Sequence, residues 1–550
     1  MRRRWIVILA ATAGAAAMSG CYIQGQEAGE LGGEAQAAGG FDSGRPTEGD
    51  MYISGMPIVK EKLELKAVVK KFANHGDFNK MEALKKLEAR TNIALKWEQI
   101  PGEVFNEKKH YLFTSGQLPD LFFAGLGSID VVQYGSQGLL IPLERLIDQY
   151  APNIRSVFSA YPELKKAVTA PDGHIYSLPF LEANDYMQYR NHLMINKVWL
   201  DKLGLKVPET TDEFHEVLRQ FKNSDPNGNG KPDEIPFASM FTQVSNNYRA
   251  LFNSFGVLNP DGNRMAVIGG QVRFEPVQPE YKEAVKYIRS LYTEGLMDEE
   301  AFTQDLKQYM AKGGAKEVLY GAFTAFLGDI ELGSMDRLTR EYVAVPPLKG
   351  PGGAQSWRRQ DNRIVPNMFS ITSSNKHPEA TMRLIDAMNE ETTAFELWKG
   401  PVGSHLSRTA DGKIVQNPLP ADESNLGVWI GKAAPLNYVP LLLTEEMLGS
   451  FVPDEASKLR NRTYELYKPY IVKDELTYPQ MIYYTTEQTN RLKVLDADIT
   501  SYLNKMESRW IVEGGIDQEW ESYLAELKMM GLDEKIEIHQ QVYDAVYKSP

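Results

Sequence analysis

Leu118-Pro119-Asp120-Leu121-Phe122-Phe123-Ala124-Gly125 is a short apolar run closed by a glycine, the pattern of a strand buried on both faces of a sheet. Upstream, Leu63-Glu64-Leu65-Lys66-Ala67-Val68-Val69 is strand-like, and Ile93-Ala94-Leu95-Lys96-Trp97 alternates as a second strand. Between them Met81, Leu84, Leu87 and Ala89 mark one helical face, and residues 104–113 supply another helical piece. Strands and helices in alternation predict an α/β sheet whose ligand cleft lies beyond the C-terminal ends of its strands.

Farther along, Thr210-Thr211-Asp212-Glu213 offers a capping box, and Phe214, Val217, Leu218 and Phe221 follow as one apolar face. Residues 281–294 read as an amphipathic helix with Ala284, Tyr287, Ile288 and Leu291 inward, and residues 321–326 as a short buried strand. The C-terminal section is helical: Leu492, Leu495, Ile499, Leu503, Met506 and Trp510 form one stripe, and Trp520, Leu524, Leu527 and Met530 another. Stripes with this spacing are core.

At 550 residues the chain is too long for one core, so two or more lobes are expected. A net charge of −13 argues against a nucleic-acid partner, which would require a basic face. Eight histidines and one cysteine leave little room for zinc or iron–sulfur sites, and a single cysteine excludes internal disulfides.

Arg2, Arg3 and Arg4 precede an uncharged, alanine-rich run from Trp5 to Met18, the n-region and h-region of a signal peptide. The run ends Met18-Ser19-Gly20-Cys21, which resembles the bacterial lipobox and predicts cleavage before a lipidated Cys21. Loss of residues 1–20 removes three arginines, so the mature charge is −13 − 3 = −16. Residues 22–50 are Gly, Ala, Glu, Gln and Ser with few large apolar side chains, which predicts a tether unable to bury a core.

Asp225-Pro226-Asn227-Gly228-Asn229-Gly230-Lys231-Pro232-Asp233-Glu234-Ile235-Pro236 places side-chain oxygens at alternating positions around two glycines. That is how an EF-hand surrounds calcium, with the carbonyl of Lys231 at the seventh position. Pro236 occupies the twelfth, so Glu234 would have to supply the closing carboxylate. The spacing alone also fits a polar Asn/Gly/Pro turn.

The Leu118–Phe122 run is followed by Tyr134-Gly135-Ser136-Gln137-Gly138-Leu139-Leu140-Ile141-Pro142-Leu143, Tyr150-Ala151-Pro152-Asn153-Ile154, Pro171-Asp172-Gly173-His174-Ile175-Tyr176-Ser177-Leu178-Pro179 and Ile195-Asn196-Lys197-Val198-Trp199-Leu200-Asp201-Lys202-Leu203-Gly204-Leu205. This ordered series resembles the family 1 extracellular solute-binding proteins, the lipoprotein receptors of carbohydrate ABC importers. The calcium-like loop resembles that of the large members, including alginate-oligosaccharide receptors. Gly400-Pro401-Val402-Gly403-Ser404-His405-Leu406 is similar to the family's Gly-x-Glu-Gly-x-His-Tyr motif, with Val402 and Leu406 in place of Glu and Tyr.

The resemblance implies an α/β, two-lobe, periplasmic-binding-protein-like fold of type II, with hinge crossings and a helical C-terminal section. Its divisions are a signal peptide at 1–20, a tether at 21–56 and the first part of the N-terminal lobe at 57–180. The C-terminal lobe with the calcium loop follows at 181–350, a return to the N-terminal lobe at 351–430, and the C-terminal lobe with its closing helices at 431–550. It also implies structural Ca2+ on Asp225, Asn227, Asn229, Lys231 through its carbonyl, Asp233 and Glu234. The protein is expected to be a monomer, lipid-anchored on the extracytoplasmic face of the cell membrane, that passes an oligosaccharide to importer permease subunits.

Sugar recognition calls for aromatic faces and planar polar groups. Asp185, Tyr186, Tyr189 and Arg190 lie between two strands where the chain is expected to cross the hinge, and Tyr189 also fits a core aromatic. Trp357, Arg358 and Arg359 form a second candidate group, suited to an acidic sugar because arginine pairs bidentately with carboxylate. Trp429 is a further candidate, whereas Trp398 follows a helical pattern with Met388 and Phe395 and reads as buried.

A secreted glycosidase or lyase would share the acidity, calcium and aromatics, but no pattern singles out a catalytic pair among 73 acidic residues. His-Glu-x-x-His, Gly-x-Ser-x-Gly and phosphate-loop motifs are absent from the sequence. A sugar sensor for a membrane kinase would have the same sequence features.

Overall fold

The computed structural model describes residues 45–72, 75–241, 246–325, 328–423 and 425–548. The expected signal peptide, Cys21 and most of the tether lie outside the described residues. Among the described residues no helix is long and apolar enough to cross a membrane.

Among the described residues ten strands form the two main sheets. In chain order they are β1 (Leu63–Lys71), β2 (Ile93–Pro101), β3 (Leu121–Phe123), β4 (Leu178–Glu182), β5 (His192–Asn196), β6 (Ile235–Ala238), β7 (Tyr320–Ala325), β8 (Tyr342–Ala344), β9 (Ile364–Ile371) and β10 (Leu442–Leu443). The first lobe has a six-stranded sheet in the order β10-β4-β9-β3-β1-β2. In it β1 runs parallel to β2 and β3, while β9 returns antiparallel between β3 and β4. The second lobe has a four-stranded sheet in the order β8-β5-β7-β6. Its β7 is parallel to β6 and antiparallel to β5.

Local sequence explains most of these elements. The helix Glu82–Thr91 buries Ala83, Leu84, Leu87 and Thr91, so the predicted face is turned slightly and Ala89 is exposed. In the helix Thr211–Asn223, Thr210 caps by accepting from the Glu213 N–H at 3.1 Å, and Phe214, Val217, Leu218 and Phe221 are buried as their spacing predicts. The helix Thr486–Val512 buries the Leu492-to-Trp510 stripe against the second lobe.

Two boundaries differ from expectation. The ordered body starts before residue 57, because Thr47–Glu48 and Met51–Tyr52 form a hairpin with Met51 and Tyr52 buried. The Arg383 guanidinium donates to the carbonyls of Tyr52 and Gly55, fixing that hairpin to the first lobe. The return to the first lobe also runs well past residue 430: β10 pairs with β4, and Phe451–Val452 pairs with Ile414–Gln416. Strands of two residues carry no readable period, so hydrophobic patterning does not reveal them.

Among the described residues the chain passes between the lobes in three places, near residues 183–191, 345–363 and 444–454, and the crossings are bonded to one another. Gln360 N donates to Gln188 O at 3.0 Å, Asn362 N to Met187 O at 2.9 Å and Ala183 N to Leu443 O at 2.9 Å. Behind them Tyr467, at the end of the helix Glu455–Tyr467, accepts from Leu193 N at 2.9 Å and donates to Val345 O at 2.6 Å. Trp357 packs edge-on to Tyr467 at 4.9 Å, and its indole N–H donates to Arg190 O at 2.9 Å.

Trp357 is 1% exposed, so its truncation removes the brace common to all three crossings. Trp357→Ala is expected to cost about 3–5 kcal/mol of unfolding free energy in a denaturant titration. A loss below about 1 kcal/mol would show that the brace is dispensable.

Candidate functional site in the interlobe cleft

A cavity of about 260 Å³ opens where the crossings meet the lobes. From the first lobe come Glu182, at the end of β4, and Trp398 and Lys399, at the end of the helix Glu391–Lys399. Asn184, Tyr186 and Tyr189 belong to the first crossing, and Asp454 and Arg460 to the helix-starting segment of the third.

The rings form two walls. Tyr189 stacks on Tyr467 at 5.2 Å and 21°, so the hinge brace supports a ring that lines the cavity. Trp398 lies 5.8 Å from Phe451, and the Lys399 ammonium sits 3.9 Å from the Trp398 ring centroid. Between these walls the Glu182 carboxylate accepts from Asn184 at 2.8 Å and from the Tyr186 hydroxyl at 3.1 Å.

Charges of both signs meet in the cavity. Burial lowers the pKa of Lys399, against the pull of Glu182 and Asp454. Burial opposes ionisation of Asp454 as well, but hydrogen bonds from Ser457 and the charges of Lys399 and Arg460 leave its pKa below the usual range. His192 is held down to about 4 by burial and by Arg460, so its imidazole is neutral at neutral pH. The site therefore combines apolar ring faces with adjacent hydrogen-bonding groups and no large excess of one charge, a lining suited to a polyhydroxylated neutral ligand.

Of the candidates singled out from the sequence, Tyr186 and Tyr189 line this cavity. Asp185 is exposed beside it and accepts from Gln188 at 2.6 Å. Arg190 lies behind it, where its carbonyl receives the Trp357 indole. The Trp357-Arg358-Arg359 group is not a cleft surface in this structure. Trp357 is core, Arg358 pairs with Asp261 at 3.5 Å and Arg359 with Asp474 at 2.5 Å. Trp429 is partly buried elsewhere on the first lobe, stacked on His405 at 4.0 Å and 18°.

Trp398, which its helical pattern marks as buried, is instead a cavity wall. Glu182, His192, Lys399, Asp454 and Arg460 carry no local sequence signal, since each becomes a site residue only when segments far apart in the chain converge. The motif near residue 400 has a packing explanation. Gly400 has φ +96°, and a Cβ there would lie 2.4 Å from the His405 ring. Leu406, in the place of the family's tyrosine, is fully buried in the first-lobe core.

The oxygen-rich loop connects the helix Thr211–Asn223 to β6 and lines no part of the cavity. Gly228 and Gly230 both take positive φ, +77° and +74°, which makes the reversal possible. Asp225 accepts from the N–H groups of Gly228, Asn229 and Gly230 at 2.7, 3.1 and 2.9 Å. The amides of Asn227 and Asn229 donate to Asp233 at 2.8 and 2.9 Å. Lys202 donates to the carbonyls of Asp225 and Pro226, both at 3.0 Å, which ties the loop to the helix Lys197–Leu203.

Among the described residues no group of three His, Cys, Asp or Glu side chains is gathered as a metal cluster. The loop's donors are instead a mixture of carboxylates, amides and a carbonyl. Glu234 tests whether such a set fits a cation: its Oε1 is buried without a hydrogen-bond partner. Burial raises its pKa, and the charges of Asp225 and Asp233 add to the rise against nearby backbone N–H groups. A hard cation among these oxygens would relieve that repulsion, so the residues fit calcium chemistry.

A sequence profile of the bacterial extracellular solute-binding proteins matches residues 82–403. The chain is 33% identical over 491 residues to the fructooligosaccharide ABC transporter substrate-binding protein FusA of Streptococcus pneumoniae, covering 85% of this chain and 87% of that one. A solved structure of an EF-hand mutant of FusA in complex with fructo-nystose has a TM-score of 0.75 at 32% identity, covering 88% of this chain and 99% of that one. An HMO-binding, ABC-transporter-associated solute-binding protein from Bifidobacterium longum infantis shares the fold. Its TM-score is 0.81 at 24% identity, with 89% of this chain and 100% of that one covered.

Proposed function

Because this chain belongs to the bacterial extracellular solute-binding proteins, which bind rather than transform their ligand, we propose that it captures a neutral oligosaccharide and delivers it to an ABC importer. The observation that carries the reading is the cavity at the crossings, where Tyr186, Tyr189 and Trp398 surround paired charges of opposite sign. The acidic-sugar alternative rested on Arg358 and Arg359, and both are engaged by carboxylates of the protein itself. The likeness to a fructooligosaccharide-binding relative supports a fructan-type ligand.

In this reading a terminal sugar ring enters the cavity, its C–H face against an aromatic wall and its hydroxyls toward Glu182, Asn184 and Asp454. Lobe closure follows from contacts that only the closed form completes, since a ligand shifts an equilibrium only by its differential affinity. Calcium on Asp225, Asn227, Asn229, the Lys231 carbonyl, Asp233 and Glu234 would have a structural role, joining the helix Thr211–Asn223 to β6. The EF-hand named for the FusA mutant supports that assignment. Lipid attachment at Cys21 and a monomeric body held off the membrane by the tether complete the proposal.

Titration calorimetry of the mature protein with kestose- and nystose-type fructooligosaccharides, and with uronic-acid oligosaccharides in parallel, tests the ligand class. Binding of the neutral series is expected, weakened at least about tenfold by Trp398→Ala through loss of a stacking face. Binding of the uronic series alone would sink the neutral reading. For the loop, EDTA is expected to lower the melting temperature and calcium to restore it by mass action, with Glu234→Gln reducing the response; an unchanged melting temperature would leave only a polar turn. Cys21→Ala is expected to move the protein from the membrane fraction to the soluble fraction, and continued membrane retention would refute lipid anchoring at this residue.

A further inference from the structure

Away from the three crossings, the second lobe also reaches the first through a buried side chain, Tyr483. The segment that carries it is tied to the second lobe on both flanks. Thr477 bridges to Ala266, Tyr478 is buried and donates to His539 O at 3.0 Å, and the Tyr484 hydroxyl lies 2.7 Å from His539 Nδ1. Tyr483, between these anchors, faces the other way. It is 7% exposed and packs into the first-lobe apolar cluster that contains Phe113, Tyr134 and Tyr176. Its hydroxyl donates to Asn367 Oδ1, in β9, at 2.6 Å. Ring burial and a satisfied hydroxyl together make this a specific seat.

The acceptor is held for this contact by the first lobe. Asn367 has φ +60°, which few residues other than glycine keep, and it stands where the pairing of β9 with β4 shifts register between Val365 and Phe369. An irregularity of this kind re-aims a side chain. The Asn367 amide donates to Ser128 Oγ at 3.2 Å, which leaves Oδ1 for Tyr483. On the other side, Thr485 and Gln488 form the capping box that starts the helix Thr486–Val512, so the seat of Tyr483 is two residues from a helix packed in the second-lobe core. A further contact lies nearby, where the Lys166 ammonium sits 4.4 Å from the Tyr547 ring centroid and joins the helix Pro162–Ala167 to the helix Leu532–Tyr547. A cavity of about 360 Å³ adjoins both contacts, with Ala167 and Pro171 of the first lobe facing Met481, Val542 and Val546 of the second. A permanent interface packs to interior density, whereas a void this large beside local contacts suits surfaces that part.

We propose that Tyr483, seated against Asn367, is a latch that holds the two lobes in the arrangement seen here and must leave its seat for the interlobe cleft to open. The proposal rests on the two-lobe binding reading above and deepens it, without depending on which sugar is bound. The latch lies off the three crossings, so rotation about them moves Tyr483 relative to Asn367, and a displacement of about 1 Å already ends a hydrogen bond of this length. Release also leaves the buried Asn367 oxygen without its donor, which makes the seated state the favoured one. The latch therefore sets the balance of lobe arrangements before any ligand arrives, and the ligand shifts that balance by its differential affinity.

Distances between two spin labels, read by double electron–electron resonance without sugar, test the latch. The labels sit on Glu163→Cys in the first lobe and Asp533→Cys in the second, both at exposed positions, in the mature chain with Cys21→Ala, which has no other cysteine. With Tyr483 in place, one narrow distance is expected. In Tyr483→Ala a second population, longer by about 5 Å or more, is expected in more than about half of the molecules. Asn367→Gly keeps the positive φ and removes the acceptor, and a smaller shift of the same sign is expected. Distances unchanged in both variants, or two populations already present with Tyr483 in place, would each overturn the proposal. Should Tyr483→Ala fail to fold, Asn367→Gly decides. Because no sugar is present, a failure of the proposed ligand class in calorimetry leaves this result untouched and is told apart from a failure of the latch.

Discussion

Tyr467 and Trp357 make the contact on which the two-lobe body depends. Trp357 lies in the second crossing and Tyr467 at the end of the helix that follows the third, and their polar atoms are bonded to the backbone at Leu193, Val345 and Arg190. One packed aromatic pair thus fixes where β5 begins, where the chain leaves β8 and where the first crossing ends. Close-packed rings resist gradual deformation, so the brace is a stiff point between the flanking segments. Tyr467 also backs the cleft, because Tyr189, which lines the cavity, stacks on it.

Electrostatics divides the second lobe into an interior problem and a surface problem. In the interior, Arg249 and Glu507 are paired and further satisfied by tyrosine hydroxyls, and Arg264, bonded to Asn504, adds its charge to the pull that keeps the Glu507 carboxyl below its usual range. At the surface, Asp225 and Asp233 are satisfied by backbone and amide N–H groups, while Glu234 keeps a buried, unbonded oxygen. The interior is closed by its own ion pairs and hydrogen bonds, whereas the Glu234 oxygen suits a hard cation. Neither lines the cleft, so both bear on the stability of the second lobe and not on the lining of the cavity.

The cleft has a different economy of charge. Lys399 and Arg460 face Glu182 and Asp454, so the field inside the cavity carries little net bias and selection falls to ring faces and hydrogen-bond geometry. Neutral His192 adds a polar edge without adding charge near neutral pH. Such a lining favours hydroxyl-rich ligands over anions, because an anion would gain from two groups and be repelled by two others.

The sequence by itself determined the α/β class, the large helices and the oxygen-rich loop, since each follows from local spacing: the run at Leu121, the stripe from Leu492 to Trp510, and the alternating oxygens from Asp225. The ordered motifs also identified the solute-binding family. Only the tertiary structure decided which aromatic residues meet the cleft. Trp357 and Trp398 lie beside basic residues in sequence, yet one is sealed behind the hinge and the other forms a wall. The two-residue strand β10 was equally invisible, because its place beside β4 is set by a partner far away in the chain. Period and propensity report how a segment folds on itself. The cleft is made by three separate crossings converging, and their mutual exposure is fixed only when the lobes pack.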